Sequence, residues 1–219
     1  MWTDDNLVRE TRWSRTYANK DKTYIYFESN FLDGRASISR EELAAEWPTW
    51  SDSERLDFCS AIHCAPPDDS ADIFRFLATD ESEHVRSTIA SCVALLLPAD
   101  ESIPLLAAWA EAAPAGHRAN YLQAIAHTSD SRAHDVLQHH FAILVQHHQL
   151  MDDAELYNDV AMDLVWCIQH LVNLDTPRHT LHSAYEKLAQ HPCERIRHQV
   201  DHWLAKSFEP RTGPVTRSS

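Results

Sequence analysis

A chain of 219 residues with 44% hydrophobic content is long enough for one sizeable core, or for a short array of stacked repeats that share one. Its net charge of −14 works against binding phosphate backbones or anionic membranes and favours basic partners. Glycine occurs only as Gly34, Gly116 and Gly213, so no glycine-rich loop wraps backbone amides around a phosphate, which excludes the common nucleotide-binding folds.

The opening "MWTDDNLVRE" has no basic stretch followed by an apolar one, and nowhere is there a run of about 20 apolar residues, so a cytoplasmic location is expected. Residues 1–38 read as an N-terminal extension. In it "TYIYFES" at 23–29 is rich in β-formers and "NKDK" is a turn after "RTYA", which together predict a small hairpin capping a helical array.

From Ser39 to Phe208 apolar residues recur at spacings of three and four, with acidic or hydroxyl residues where helices should start. Pro, Asp and Ser clusters cut this region into five helix pairs: 39–47 with 52–64, 70–78 with 81–97, 102–112 with 115–128, 131–149 with 152–174, and 177–190 with 192–208. "SREE" at 39–42 and "SDSE" at 51–54 match the capping box, and Asp80 with Glu83 makes a related pair. Carboxylate pairs at 41–42, 68–69 and 152–153 stand at helix starts, where they favour the helix dipole. Residues 209–219 lack an apolar stripe and read as a flexible tail. The class expected is all-α.

"DESEHVRSTIASC" at 80–92 resembles the second-helix signature of HEAT (ARM-like) repeats, with Asp80 opening the helix, Val85 entering the core and Arg86 following it. "HPCERIRHQVDHWL" at 191–204 repeats the pattern with Ile196 and Arg197, His191 standing where the family usually has Asp. Arg86 and Arg197 lie 111 residues apart, close to three repeat lengths. The resemblance implies a short α-solenoid over 39–208, in which Asp80, Arg86 and Arg197 are structural and the second helices line one face. Stacking would supply the core that one pair alone lacks. Most such proteins are binding scaffolds.

"HHFAILVQHH" at 139–148 raises the question of a metal. His140 and His147 share a helix face but lie about 10.5 Å apart along the axis, too far to hold one ion from their own helix, while His139 and His148 are expected to face solvent. "HQVDH" at 198–202 does place His198 and His202 at metal-ligand spacing and resembles the inverted zinc-peptidase motif with Asp201 for Glu. That family's third ligand lies far downstream, which residues 203–219 are not expected to supply, and Ile196, Val200, Trp203 and Leu204 are expected to form a core face opposite. Cys59 and His63 read as a packed thiol and its neighbour. The five cysteines are odd in number, without CxxC, and reduced thiols are expected.

Helix 152–174 is the most informative segment. Leu156, Val160, Leu164, Cys167, Leu171 and Leu174 form an apolar stripe flanked by Tyr157, Ala161, Val165, Ile168 and Val172. The remaining strip carries Glu155, Asp159, Met162, Asp163, Trp166 and His170. Like charges one turn apart destabilise a helix by about 0.2–0.5 kcal/mol per pair, and an aromatic amid polar residues asks for a cover. Glu155, Asp159, Asp163, Trp166 and His170 are therefore the partner-binding candidates, carboxylates for Lys or Arg and the indole as anchor.

The function expected is a non-catalytic binding protein whose acidic concave face holds a basic protein or peptide, an immunity protein or inhibitor of a basic toxin being one form of it. No catalytic residue, cofactor or metal is expected. Two alternatives are a HEAT-like DNA glycosylase acting on alkylated bases, which 33 acidic against 19 basic residues disfavour, and a metal-binding helical protein using His198, His202, Asp159 or Asp163.

Overall fold

Hydroxyl residues with a glutamate three positions on begin two of the first helices as the sequence implies. Ser39 Oγ accepts from the amide of Glu42 at 3.2 Å while Glu42 accepts from the amide of Ser39 at 2.9 Å. Glu54 likewise accepts from the amide of Ser51 at 2.8 Å. The computed structural model describes residues 6–10, 14–19, 22–27, 38–64, 70–150 and 154–208; the acidic pairs at 68–69 and 152–153 and the segment 209–219 lie outside them. The chain forms two compact units, Met1–Glu111 and Ala112–Ser219.

The first unit holds an antiparallel sheet of three strands in chain order, β1 (Leu7–Glu10), β2 (Ser14–Asn19) and β3 (Lys22–Phe27). β2 and β3 are the expected hairpin, in register from Ser14 opposite Phe27 to Asn19 opposite Lys22. β1 is a strand the pattern did not reveal, because "LVRE" is short and half charged. It pairs with β2 through an irregularity between Leu7 and Arg9. Arg9 crosses to Glu54 and sets its guanidinium 5.1 Å over the Trp50 ring. β3 packs on the helix Asp52–Cys64.

The helices of this unit are α1 (Arg40–Glu46), α2 (Asp52–Cys64), α3 (Ala71–Leu77), α4 (Glu83–Leu96) and α5 (Ala99–Ala112), with a 3-10 turn at Trp47–Thr49. α1 packs on α3 and α2 on α4, first helix beside first and second beside second. Leu43, Phe58, Phe74, Leu77, Val85 and Ile89 are fully buried between them. Burial of each such side chain is worth roughly 1.5–3 kcal/mol. Asp80 does not cap α4 through Glu83. Its Oδ1 takes the amide of Ser82 at 2.7 Å, and its Oδ2 takes the Trp47 indole N–H at 2.6 Å and Arg55 at 3.4 Å. A carboxylate reaches the amide two residues on with least strain.

The second unit contains α6 (Ala119–His127), α7 (Arg132–Leu150), α8 (Ala154–Asn173), α9 (Arg178–Ala189), α10 (Glu194–Trp203) and the short α11 (Ala205–Phe208). α7 and α8 pair along their length, and α8 also meets α6, α9 and α10, so it is the hub of this unit. Val160, Ala161, Leu164, Val165, Cys167, Ile168 and Leu171 are all buried there as the stripe requires. Leu156, in the first turn, is instead 45% exposed. The described residues are thus all-α apart from the N-terminal sheet, and none of their helices is long and apolar enough to cross a membrane.

Two expectations about side chains fail. His148 is buried rather than solvent-facing, because its ring stacks on Tyr157 at 4.2 Å. Trp203 is 39% exposed rather than part of the core face, which Ile196, Val200 and Leu204 form without it. His139 is exposed as expected, and His140 is buried. Arg86 and Arg197 do tie their own turns, Arg86 donating to the carbonyls of Asp80 and Glu81 and Arg197 to those of His191 and Pro192.

Candidate functional site

Spacings of four, three and four put Glu155, Asp159, Met162 and Trp166 in one row along α8, on the side its buried stripe leaves free. The start of this row forms one wall of an open polar cleft of about 250 Å3. Asn158 joins Glu155, Asp159 and Met162 on that wall, Gly116 contributes from the turn before α6, and Cys193, Arg195 and Ile196 close it from the start of α10.

Gly116 is required where it stands. Its φ is +82°, and a Cβ there would lie 3.1 Å from the Cβ of Asp159. Asp163, one turn further along α8, fastens that same turn from beneath. Its Oδ2 accepts from the amide of Gly116 at 2.8 Å and its Oδ1 from the amide of Arg118 at 3.1 Å. Burial pushes the Asp163 carboxyl up to about 6, outweighing the downward pull of the two amides and of the Arg118 charge. The same burial, helped by Asp163, raises the Cys167 thiol well above its ordinary range.

At the other end of the row the Trp166 indole is half-buried against Trp203, with ring centroids 5.3 Å apart, and lies 6.5 Å from the His170 ring. Trp203 presents a partly exposed face, held by its N–H donating to Gln199 at 2.9 Å. His170 is only 7% exposed, and burial, then the nearby His127, holds its imidazole down at about 4.

No protein-family model, curated protein or solved structure matches this chain.

Of the residues the sequence singled out, Glu155, Asp159 and Trp166 share an accessible row, whereas Asp163 and His170 do not. Asp163 is fully buried and its oxygens are spent on backbone amides, and His170 faces the interior. The helical wheel put them on the polar strip, but it cannot see the turn of residues 114–118 folding over Asp163, nor His127 of α6 beside His170. Missed by the sequence were Gly116, Asn158, Cys193, Arg195 and Trp203. The signal for two of them was present in "HPCERIR": Ile196 is the core position of the motif, so Cys193 and Arg195 flank the core edge of the same helix.

His198 and His202 are exposed and stack with centroids 6.5 Å apart; among the described residues no third His, Cys, Asp or Glu groups with them to hold a metal ion. His63 meets Cys92 Sγ at 3.5 Å rather than Cys59, which is buried with its thiol pushed well up.

Proposed function

We propose that this is a non-catalytic binding protein, its helix pairs stacked as a short α-solenoid, which takes a basic protein or peptide along the α8–α10 face of its second unit. The observation that carries the reading is the row on α8. Two carboxylates, Glu155 and Asp159, stand in an open cleft, and an indole pair with exposed surface, Trp166 and Trp203, stands two turns away. A cation held by carboxylates and an apolar residue seated on indole are the two kinds of contact that dominate interfaces of this type. The net charge of −14 speeds the encounter of a basic partner with the chain as a whole. An inhibitor of a basic toxin, acting in the cytoplasm, is the form that fits best. Arg195 on the opposite wall would meet a backbone carbonyl or an acid of the partner and so fix register.

Geometry specifies the partner further. Seven residues separate Asp159 from Trp166, about 10.5 Å along a helix, which an extended chain spans in about three residues. A peptide bearing Arg and, three positions later, Phe is therefore the probe. Titrated against the protein at low salt, it should bind saturably, and more weakly as salt rises. Asp159→Lys with Trp166→Ala should weaken it at least about tenfold without changing the helical circular dichroism. Unaltered affinity in that variant removes the cleft from the interface.

A further inference from the structure

A second cavity, of about 120 Å3, opens among α7, α8 and α9 on chemistry unlike that of the cleft. Phe141 and Val145 of α7, Leu164 of α8 and Ala184 of α9 give it an apolar lining, and Leu164 and Ala184 are buried. Gln149 of α7 and Thr180, Ser183 and Lys187 of α9 line it too and are exposed, so these four polar groups sit toward solvent.

Two groups here are left wanting a partner. His148 lines the cavity and is 6% exposed, yet its Nε2 is buried and bonded to nothing among the described residues. A buried ring nitrogen without a partner is uncommon in a settled core. Lys187 pairs with no carboxylate among the described residues, its neighbour Glu186 being engaged by His182 at 3.3 Å. Lys187 is near enough to His148 for its charge, after burial and the neighbouring His191, to disfavour the imidazolium. The groups that face His148 are thus Lys187 from α9, Tyr157 from α8 and His191 from the turn before α10. None of these is an acid, and a positive potential is left over an apolar hollow.

We propose that this cavity binds a small amphipathic monocarboxylate, its apolar end against Phe141, Val145, Leu164 and Ala184 and its carboxylate between Lys187 and Ser183. Size sets the tail: an apolar cavity of about 150 Å3 holds a six-carbon ring, so the smaller volume here takes an acyl tail of about four carbons with the head in the mouth. Charge sets the head. An alcohol leaves Lys187 unanswered, and an amine is repelled by it. A carboxylate beside His148 would also counter the Lys187 charge that weighs against the imidazolium there. This site is independent of the cleft and of the partner proposed for it.

Calorimetric titration with pentanoate, 1-pentanol and pentylamine, which share a tail and differ in head, tests the assignment. Pentanoate should bind saturably and about tenfold more tightly than pentanol, with pentylamine weakest. Lys187→Gln, an exposed substitution, should make acid and alcohol equal. Ala184→Leu should fill the hollow and abolish both. Should Ala184→Leu fail to fold, the methyl resonances of Val145 and Leu164 in the native protein report the same thing by shifting with pentanoate. No saturable binding of pentanoate, equal affinity for pentanol, an unchanged acid preference in Lys187→Gln, or shifts confined to other methyls would each overturn the proposal.

Discussion

Before α4, Asp80 Oδ1 accepts the amide of Ser82 at 2.7 Å, and Arg86 donates to the carbonyls of Asp80 and Glu81 at 3.0 and 3.1 Å. Before α10, His191 Nδ1 accepts the amide of Cys193 at 3.2 Å, and Arg197 donates to the carbonyls of His191 and Pro192 at 2.6 and 2.8 Å. The backbone needs one acceptor and one long donor at this turn, and either a carboxylate or an imidazole supplies the acceptor. The atoms left over differ. The second oxygen of Asp80 takes the Trp47 N–H and Arg55, whereas the imidazole of His191 stacks on Tyr157 at 4.6 Å, next to His148. One turn is tied by charge and the other by ring packing.

The largest effect that separates them is expected from Asp80→Ala. It strands the Trp47 N–H and Arg55 as well as the Ser82 amide, and should lower stability by about 3 kcal/mol in urea titration. A loss no greater than that of an equivalent change at His191 would break the contrast. Asp163→Ala comes next, because Asp163 does for the turn before α6, from 45 residues away, what Asp80 does locally. Two amides lose their acceptor beside a cleft that water enters, and about 2 kcal/mol should be lost. Gly116→Ala probes the same turn from the backbone side. Its φ of +82° and the contact with Asp159 should cost about 1.5 kcal/mol, while weakening the Arg-containing peptide.

The smallest change in stability, under about 1 kcal/mol at neutral pH, is expected for His191→Asn, which keeps an acceptor for Cys193 and loses the titration. Its signature is the pH dependence. Burial, ahead of any neighbouring charge, holds His148 and His170 down at about 4 and lowers His191, all from 6.5. The unfolded chain therefore takes up protons that the folded one refuses, and stability fully present above 6.5 drains away as the pH falls toward 4. Asp163 acts in the opposite sense. With its carboxyl raised from 3.8 to about 6, the folded state binds that proton first, which adds stability as the pH falls through 6. His191→Asn should reduce the proton uptake on unfolding below 6.5, measured as a shallower fall of the urea midpoint with pH. An unchanged slope would mean that His191 titrates normally in the folded protein.

Residues whose role is local were legible from the sequence. The capping boxes at Ser39 and Ser51, the buried stripe of α8 from Val160 to Leu171, the hairpin of β2 and β3, and the place of Arg86 and Arg197 follow from spacing or local motif. Residues whose neighbours are distant in the chain were not. Asp163 read as a surface acid because its partners are 45 and 47 residues away, and His148 read as exposed because the rings of Tyr157 and His191, on other elements, cover it.

By itself the sequence determined an all-α chain with its helix starts, its apolar stripes, its negative charge and the row of Glu155, Asp159 and Trp166, since periodicity and capping act within a turn or two. Tertiary structure alone decided which polar groups of that row face solvent, that Trp203 joins Trp166, and that a cavity lies beside His148 and Lys187. The physical reason is burial: whether a polar side chain is a contact, a cap or a strained core group depends on what covers it, and the cover comes from elements far along the chain.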